Sequence, residues 1–298
     1  MKPHYHFSTY EEHVSFLETI IVEDGKMAYL DVGEGPAILL IHGVPNSSWL
    51  YRKMVQPLVE GGFRVIVPDM LGYGVSEKPA DEDVYTNQKQ GDRILTLMAE
   101  LGIHQWVHVC HDAGGPWTWE MIRKEPARVN HLVILNTILY KEGFHPPFRK
   151  QHGSLFVRLF SSLYSSKLLT PLVMRSFWAV NCKNVRLTSV EKNGYIQPLL
   201  NNGNHALRYF FSDFFQIEKD LPKMHEILKY WSKPVTVIWG TLDKTLNQAE
   251  QIPLLRQDLR KVIPTIHILQ ECSHMIQEEA PQLISIQIIR AVSDGISK

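Results

Sequence analysis

A doubly wound α/β sheet, mostly parallel, with a helical cap inserted after the sixth strand is the fold class this sequence predicts. Three observations carry the prediction. Short apolar runs rich in Val and Ile alternate with segments of helical spacing. A turn-forming trio, Glu23-Asp24-Gly25, closes an antiparallel hairpin near the start. About 90 residues in the second half then pass without any strand pattern.

The hairpin pairs residues 16–22 with 26–32. After it come AILLIH at 37–42, RVIVP at 64–68, WVHVC at 106–110, VNHLVILN at 129–136, PVTVIWG at 234–240 and TIHIL at 265–269. Near-continuous apolar runs of this length are what strands buried on both faces require, as in a parallel sheet between helix layers. Residues 87–101, 116–124 and 282–292 read as the intervening helices; Pro116 stands near the first turn of one and Pro281 just before another.

The gap in the rhythm runs from about Leu139 to Trp231. LFVRLFSSLYSSKLLTPLVMRSFW and HALRYFFSDFFQIEKDLPKMHEILKYW place aromatic and aliphatic residues at helical intervals, which predicts a helical lid over the carboxyl edge of the sheet. The expected organisation is a core of residues 1–138 and 232–298 with a cap of 139–231.

Composition narrows the function classes. The chain has 298 residues, 44% of them hydrophobic, enough to bury a substantial core. Lys+Arg and Asp+Glu both number 31, so no overall basic field points to nucleic acid or an anionic membrane. The expected partners are a small apolar substrate and water, and oligomeric state is open. Three cysteines without a CxxC pair and no apolar leader-like run suggest a reducing, cytoplasmic setting.

Chemistry concentrates at the carboxyl ends of strands. Val109-Cys110-His111-Asp112-Ala113-Gly114-Gly115 joins a strand to a helix with a nucleophile's small neighbours at two positions either side, and the central residue is Asp112 rather than serine. Asp243 follows the next-to-last strand and His274 the last, so the order is nucleophile, acid, histidine. His42-Gly43-Val44-Pro45 follows an early strand, where the Val44 amide can join that of Ala113 in an oxyanion hole.

With these residues HGVP, PDMLGYGVSEKP, HDAGG, GTLD and SHMIQEEAP, the chain resembles the epoxide hydrolase and haloalkane dehalogenase branch of the α/β-hydrolase superfamily. The resemblance covers the sheet domain; the lid matches only in length and helical character. It implies that Asp112 attacks a saturated carbon to give an alkyl ester. Water activated by His274 then hydrolyses that ester, while Asp243 orients the imidazole. A serine would give an ether that water does not readily cleave.

The two halves of the branch differ at the leaving group. An epoxide needs acidic hydroxyls, and the resemblance points to lid residues Tyr164 and Tyr209, with Tyr140 and Tyr195 in reserve. A halide needs N–H donors. Ala113 stands where dehalogenases carry a tryptophan, although Leu50–Met54 (LYRKM) looks more dehalogenase-like and Trp178 offers an indole. Epoxide hydrolysis is the first reading and haloalkane dehalogenation the second. A binding protein or a cofactor-free, non-hydrolytic enzyme on the same scaffold is the third.

No metal or other cofactor is expected. His104, His108, Cys110 and His111 lack a second ligand pair at zinc spacing, and neither Gly33-Glu34-Gly35 nor Gly72-Tyr73-Gly74 completes a dinucleotide loop.

Overall fold

A computed structural model of the chain describes residues 5–149 and 154–296, the last three of these by backbone alone. The parts of the expected core and cap that fall on residues 1–4, 150–153 and 297–298 lie outside the described residues. Among the described residues, eight strands form one sheet in the order β1-β2-β4-β3-β5-β6-β7-β8. They are β1 (Glu18–Val22), β2 (Gly25–Val32), β3 (Ala37–Ile41), β4 (Arg64–Asp69), β5 (Trp106–Asp112), β6 (Val129–Thr137), β7 (Val235–Gly240) and β8 (Thr265–Leu269). β2 runs antiparallel to both β1 and β4, and every later pairing is parallel. This is the α/β-hydrolase fold with a mostly parallel sheet.

The hairpin turns at Asp24, whose φ is 71°, and Gly25. β1 is shorter than its apolar run suggests, because a helix at Tyr10–Ser15 uses the residues just before it and Phe16 forms its C-cap. That helix is nucleated by polar groups: Thr9 accepts from the Glu12 amide and Glu12 accepts from the Ser8 amide at 2.8 Å.

All seven residues of β5 are buried, and so are all six of β7, as expected of strands covered on both faces. The helices Arg52–Glu60, Asn87–Glu100, Gly114–Lys124 and Pro281–Ile296 flank the sheet.

Between β6 and β7 the described residues form five α-helices, Leu155–Ser162, Thr170–Asn181, Ser189–Leu200, Asn204–Ser212 and Phe214–Tyr230, with a short 3-10 turn at Leu163–Ser165. The stretch before the first of them stays tied to the core. Gln251 Oε1 accepts from the amides of Leu139 and Tyr140, and the His145 amide donates to Thr245 at 2.7 Å. The helices are also fastened over the carboxyl side of the sheet, since Met275, next to His274, donates its amide to the Asn181 carbonyl at 2.7 Å.

Candidate active site

Asp112 closes β5, the helix Gly114–Lys124 opens two residues later, and the turn between them holds Asp112 at φ 51°. Such a conformation costs a side-chain-bearing residue about 1–3 kcal/mol, so its neighbours must enforce it. The Thr137 hydroxyl at the end of β6 donates to the Asp112 carbonyl at 2.5 Å. Two glycines allow the close approach: a Cβ on Gly114 would lie 2.8 Å from the His42 carbonyl oxygen, and one on Gly43 only 2.3 Å from Asp112 Cβ.

The Val44 amide donates to Oδ2 of Asp112 at 3.0 Å, and the Ala113 amide also bonds the carboxylate. Both amides named from sequence therefore converge on Asp112. Oδ1 faces Nε2 of His274 at 3.6 Å. Burial pushes the Asp112 carboxyl above its ordinary value, against the opposing pull of His274 and the two amides.

The loop carrying Val44 is held by His42. Its Nε2 accepts from the Met70 amide at 3.0 Å, so Nδ1 carries the proton and donates to the Gly43 carbonyl at 2.7 Å. Burial also lowers its pKa, which keeps the imidazole neutral.

His274 Nδ1 lies 2.7 Å from Oδ2 of Asp243. Burial opposes charge on this imidazole, but the Asp243 carboxylate, its hydrogen bond and Asp112 outweigh burial and raise the pKa to about 9. Burial opposes charge on Asp243 too. His274, Asn136 and the Leu246 amide prevail, and its pKa is lowered. The amides of Thr245 and Leu246 each donate to Oδ1 of Asp243 at 2.9 Å.

Several supporting residues escaped sequence reasoning. Asn136 donates to Oδ2 of Asp243 at 2.8 Å and accepts from the Gly240 amide, fastening β6 to the acid loop. Its signal was faint: a lone polar residue near the end of an apolar run. His111 packs against the His274 ring with centroids 4.6 Å apart, and its Nε2 donates to the His274 carbonyl at 3.0 Å. Asn46, next along the oxyanion loop, is buried with neither amide atom bonded among the described residues.

The lid tyrosines sit in different environments. Tyr164 is buried against Phe160 and Phe211, its hydroxyl has no hydrogen-bond partner among the described residues, and burial pushes its pKa to about 12. The Tyr209 hydroxyl is bonded to the Asp213 carboxylate; burial and that acceptor both raise its pKa. Tyr140 donates to Asp258 at 2.8 Å, and Tyr195 donates to Glu278. Trp178 stacks edge-on against Tyr195 and leaves its buried indole N–H without an acceptor among the described residues. At His108 both ring nitrogens are engaged, by the Trp106 indole at 3.0 Å and by Thr118 at 2.7 Å.

Comparison with known proteins adds four findings. A family model described as alpha/beta hydrolase fold matches residues 36–281. A haloalkane dehalogenase of Mycolicibacterium paratuberculosis is 28% identical over 267 residues, covering 87% of this chain and 85% of that protein. Bifunctional epoxide hydrolase 2 of Rattus norvegicus is 37% identical over 114 residues, covering 38% of this chain and 21% of that protein. Among solved structures, haloalkane dehalogenase DbeA from Bradyrhizobium elkani superposes with a TM-score of 0.75 at 21% identity, covering 94% of this chain and 98% of that one, a likeness of fold.

Proposed function

Since the chain belongs to the α/β-hydrolase family, we propose that it is a hydrolase with an aspartate nucleophile that adds water across an epoxide through an alkyl ester on Asp112. The observation that carries the reading is the division of labour at that carboxylate. Oδ2 is occupied by the Val44 amide at 3.0 Å, which leaves Oδ1 as the attacking atom.

Oδ1 attacks one epoxide carbon and that carbon's bond to the ring oxygen breaks. The oxygen takes a proton from an acidic hydroxyl. Tyr164 suits this role because its hydroxyl has no acceptor among the described residues, whereas Tyr209 must first leave Asp213. Esterification removes the negative charge of Asp112, one of the groups that raise the His274 pKa, so the imidazole sheds its own proton more easily and stands neutral to accept one from water in the second step.

His274 Nε2 then takes a proton from water, which adds to Cγ of Asp112, and the amides of Val44 and Ala113 hold the oxyanion at Oδ2. Collapse breaks the bond from Cγ to Oδ1. His274 returns its proton to that oxygen, which departs in the diol; the acid left on Asp112 sheds the water's second proton and the Tyr164 phenolate regains one through solvent, which restores both groups. Residues 139–231 act as the cap that excludes bulk water, and no cofactor is needed.

Haloalkane dehalogenation is a second reading, favoured by the nearly full-length likeness to a dehalogenase and by the indole of Trp178, unbonded among the described residues, as a halide donor. It would use the same ester and the same water. The test is a His274→Gln variant incubated separately with styrene oxide and 1-bromobutane, followed by mass analysis of the peptide holding Asp112. An adduct of the epoxide's mass, with diol formation by the unaltered protein, supports the first reading. Bromide release with a butyl adduct supports the second, and no adduct from a broad panel of either class overturns the covalent mechanism.

A further inference from the structure

The overall charge balance conceals a local imbalance. Residues 143–190 carry seven Lys or Arg and no Asp or Glu, in a chain whose totals are 31 and 31. The first two helices of the segment between β6 and β7, Leu155–Ser162 and Thr170–Asn181, lie within this stretch.

Their inner faces are accounted for. Val157, Ser161, Tyr164, Thr170, Met174 and Trp178 are buried at helical spacing. A helix covering a core ordinarily turns polar residues outward. Here the outward positions are apolar as well: Leu155 is 68% exposed, Leu159 62%, Leu168 84% and Leu172 60%. Among them stand Arg158, Lys167 and Arg175, which are exposed and carry no ion pair among the described residues.

We infer that this face docks peripherally on an anionic phospholipid bilayer, the leucines entering the headgroup boundary and the basic side chains meeting the lipid phosphates. Exposed leucines flanked by unpaired cations are the chemistry of an interfacial helix. Charge decides between this occupant and a second copy of the chain, because self-association through Arg158, Lys167 and Arg175, in a stretch without acidic residues, would bring like charges together. No helix among the described residues is long and apolar enough to cross a membrane, so the contact is superficial. Composition over the whole chain points away from membranes because it averages this segment with acidic residues that lie elsewhere.

The test is cosedimentation of the full chain with phosphatidylcholine vesicles containing phosphatidylglycerol, alongside vesicles of phosphatidylcholine alone. The expected result is binding to the anionic vesicles that weakens as salt rises from about 50 to about 500 mM. Arg158→Glu combined with Lys167→Glu and Arg175→Glu should weaken it at least tenfold, about what the loss of a few lipid-facing charges implies. Leu155→Ser combined with Leu159→Ser and Leu172→Ser should weaken it too, with unchanged circular dichroism. No binding to anionic vesicles, or equal binding to neutral ones, overturns the proposal. So does a stable dimer or a complex with an acidic protein that the leucine changes dissolve while vesicles are ignored. The salt dependence of the unaltered protein decides the matter even if the variants fold poorly.

Discussion

Nε2 of His274 stands 3.6 Å from Oδ1 of Asp112, too far for a hydrogen bond yet close enough for each charge to act on the other. On its other side the imidazole is bonded to Asp243 at 2.7 Å. The ring is thus fixed by one carboxylate and electrostatically set by two.

Asp112→Asn should lower the His274 pKa from about 9, because one of the two carboxylates that raise it loses its charge. Titration of the imidazole by NMR checks this. Turnover in the same variant should fall on the order of a thousandfold, since an amide does not replace the nucleophile. An unchanged imidazole pKa would remove the electrostatic link between the two steps.

Isotopic water tests which bond breaks. In a first turnover in ¹⁸O water the product should carry the unlabelled Oδ1, and the label should appear in the peptide containing Asp112. Direct attack of water on the substrate would instead place the label in the product at once.

Tyr164→Phe and Trp178→Phe separate the two leaving groups. If an epoxide is the substrate, Tyr164→Phe should lower kcat roughly a hundredfold, the lower end of general-acid effects, and Trp178→Phe should leave it nearly unchanged. The reverse pattern, read as bromide release from 1-bromobutane, would favour the dehalogenase reading.

Stability should depend on pH through the His274–Asp243 pair. The folded pKa of His274 is raised to about 9 from 6.5, so its contribution is complete below about 6.5 and is lost as pH rises through about 9. Asp243 is lowered, so its contribution is present above its ordinary value and is lost as pH falls through the depressed one. Urea midpoints should therefore drop between pH 6.5 and 9, and drop less in Asp243→Asn.

A buried ion cluster joins the segment between β6 and β7 to the core. Arg52 pairs with Glu278 and, at 2.9 Å, with Glu191; Lys53 reaches Glu278 at 2.9 Å and Glu191 at 2.6 Å. Arg52→Met should destabilise the fold by about 3–5 kcal/mol, the cost of leaving a buried carboxylate with one partner removed. Thermal or urea unfolding measures it, and a loss under about 1 kcal/mol would mean that Lys53 compensates.

Much of this molecule can be read from the order of its residues, because strand and helix periods are local. The six parallel strands, the elbow turn at Asp112 and the order of Asp112, Asp243 and His274 all follow from spacing within short windows. The N-terminal helix at Tyr10–Ser15 escaped because capping by Ser8, Thr9 and Glu12, rather than an apolar period, defines it.

Contacts between distant residues were decided only in three dimensions. Asn136 meets Asp243 and Arg52 meets Glu278 through packing that no local pattern encodes. The outward turn of Leu155, Leu159, Leu168 and Leu172 is of the same kind. A helical period shows that a segment has an apolar face, but only the packed neighbours determine which apolar residues are covered and which remain in water.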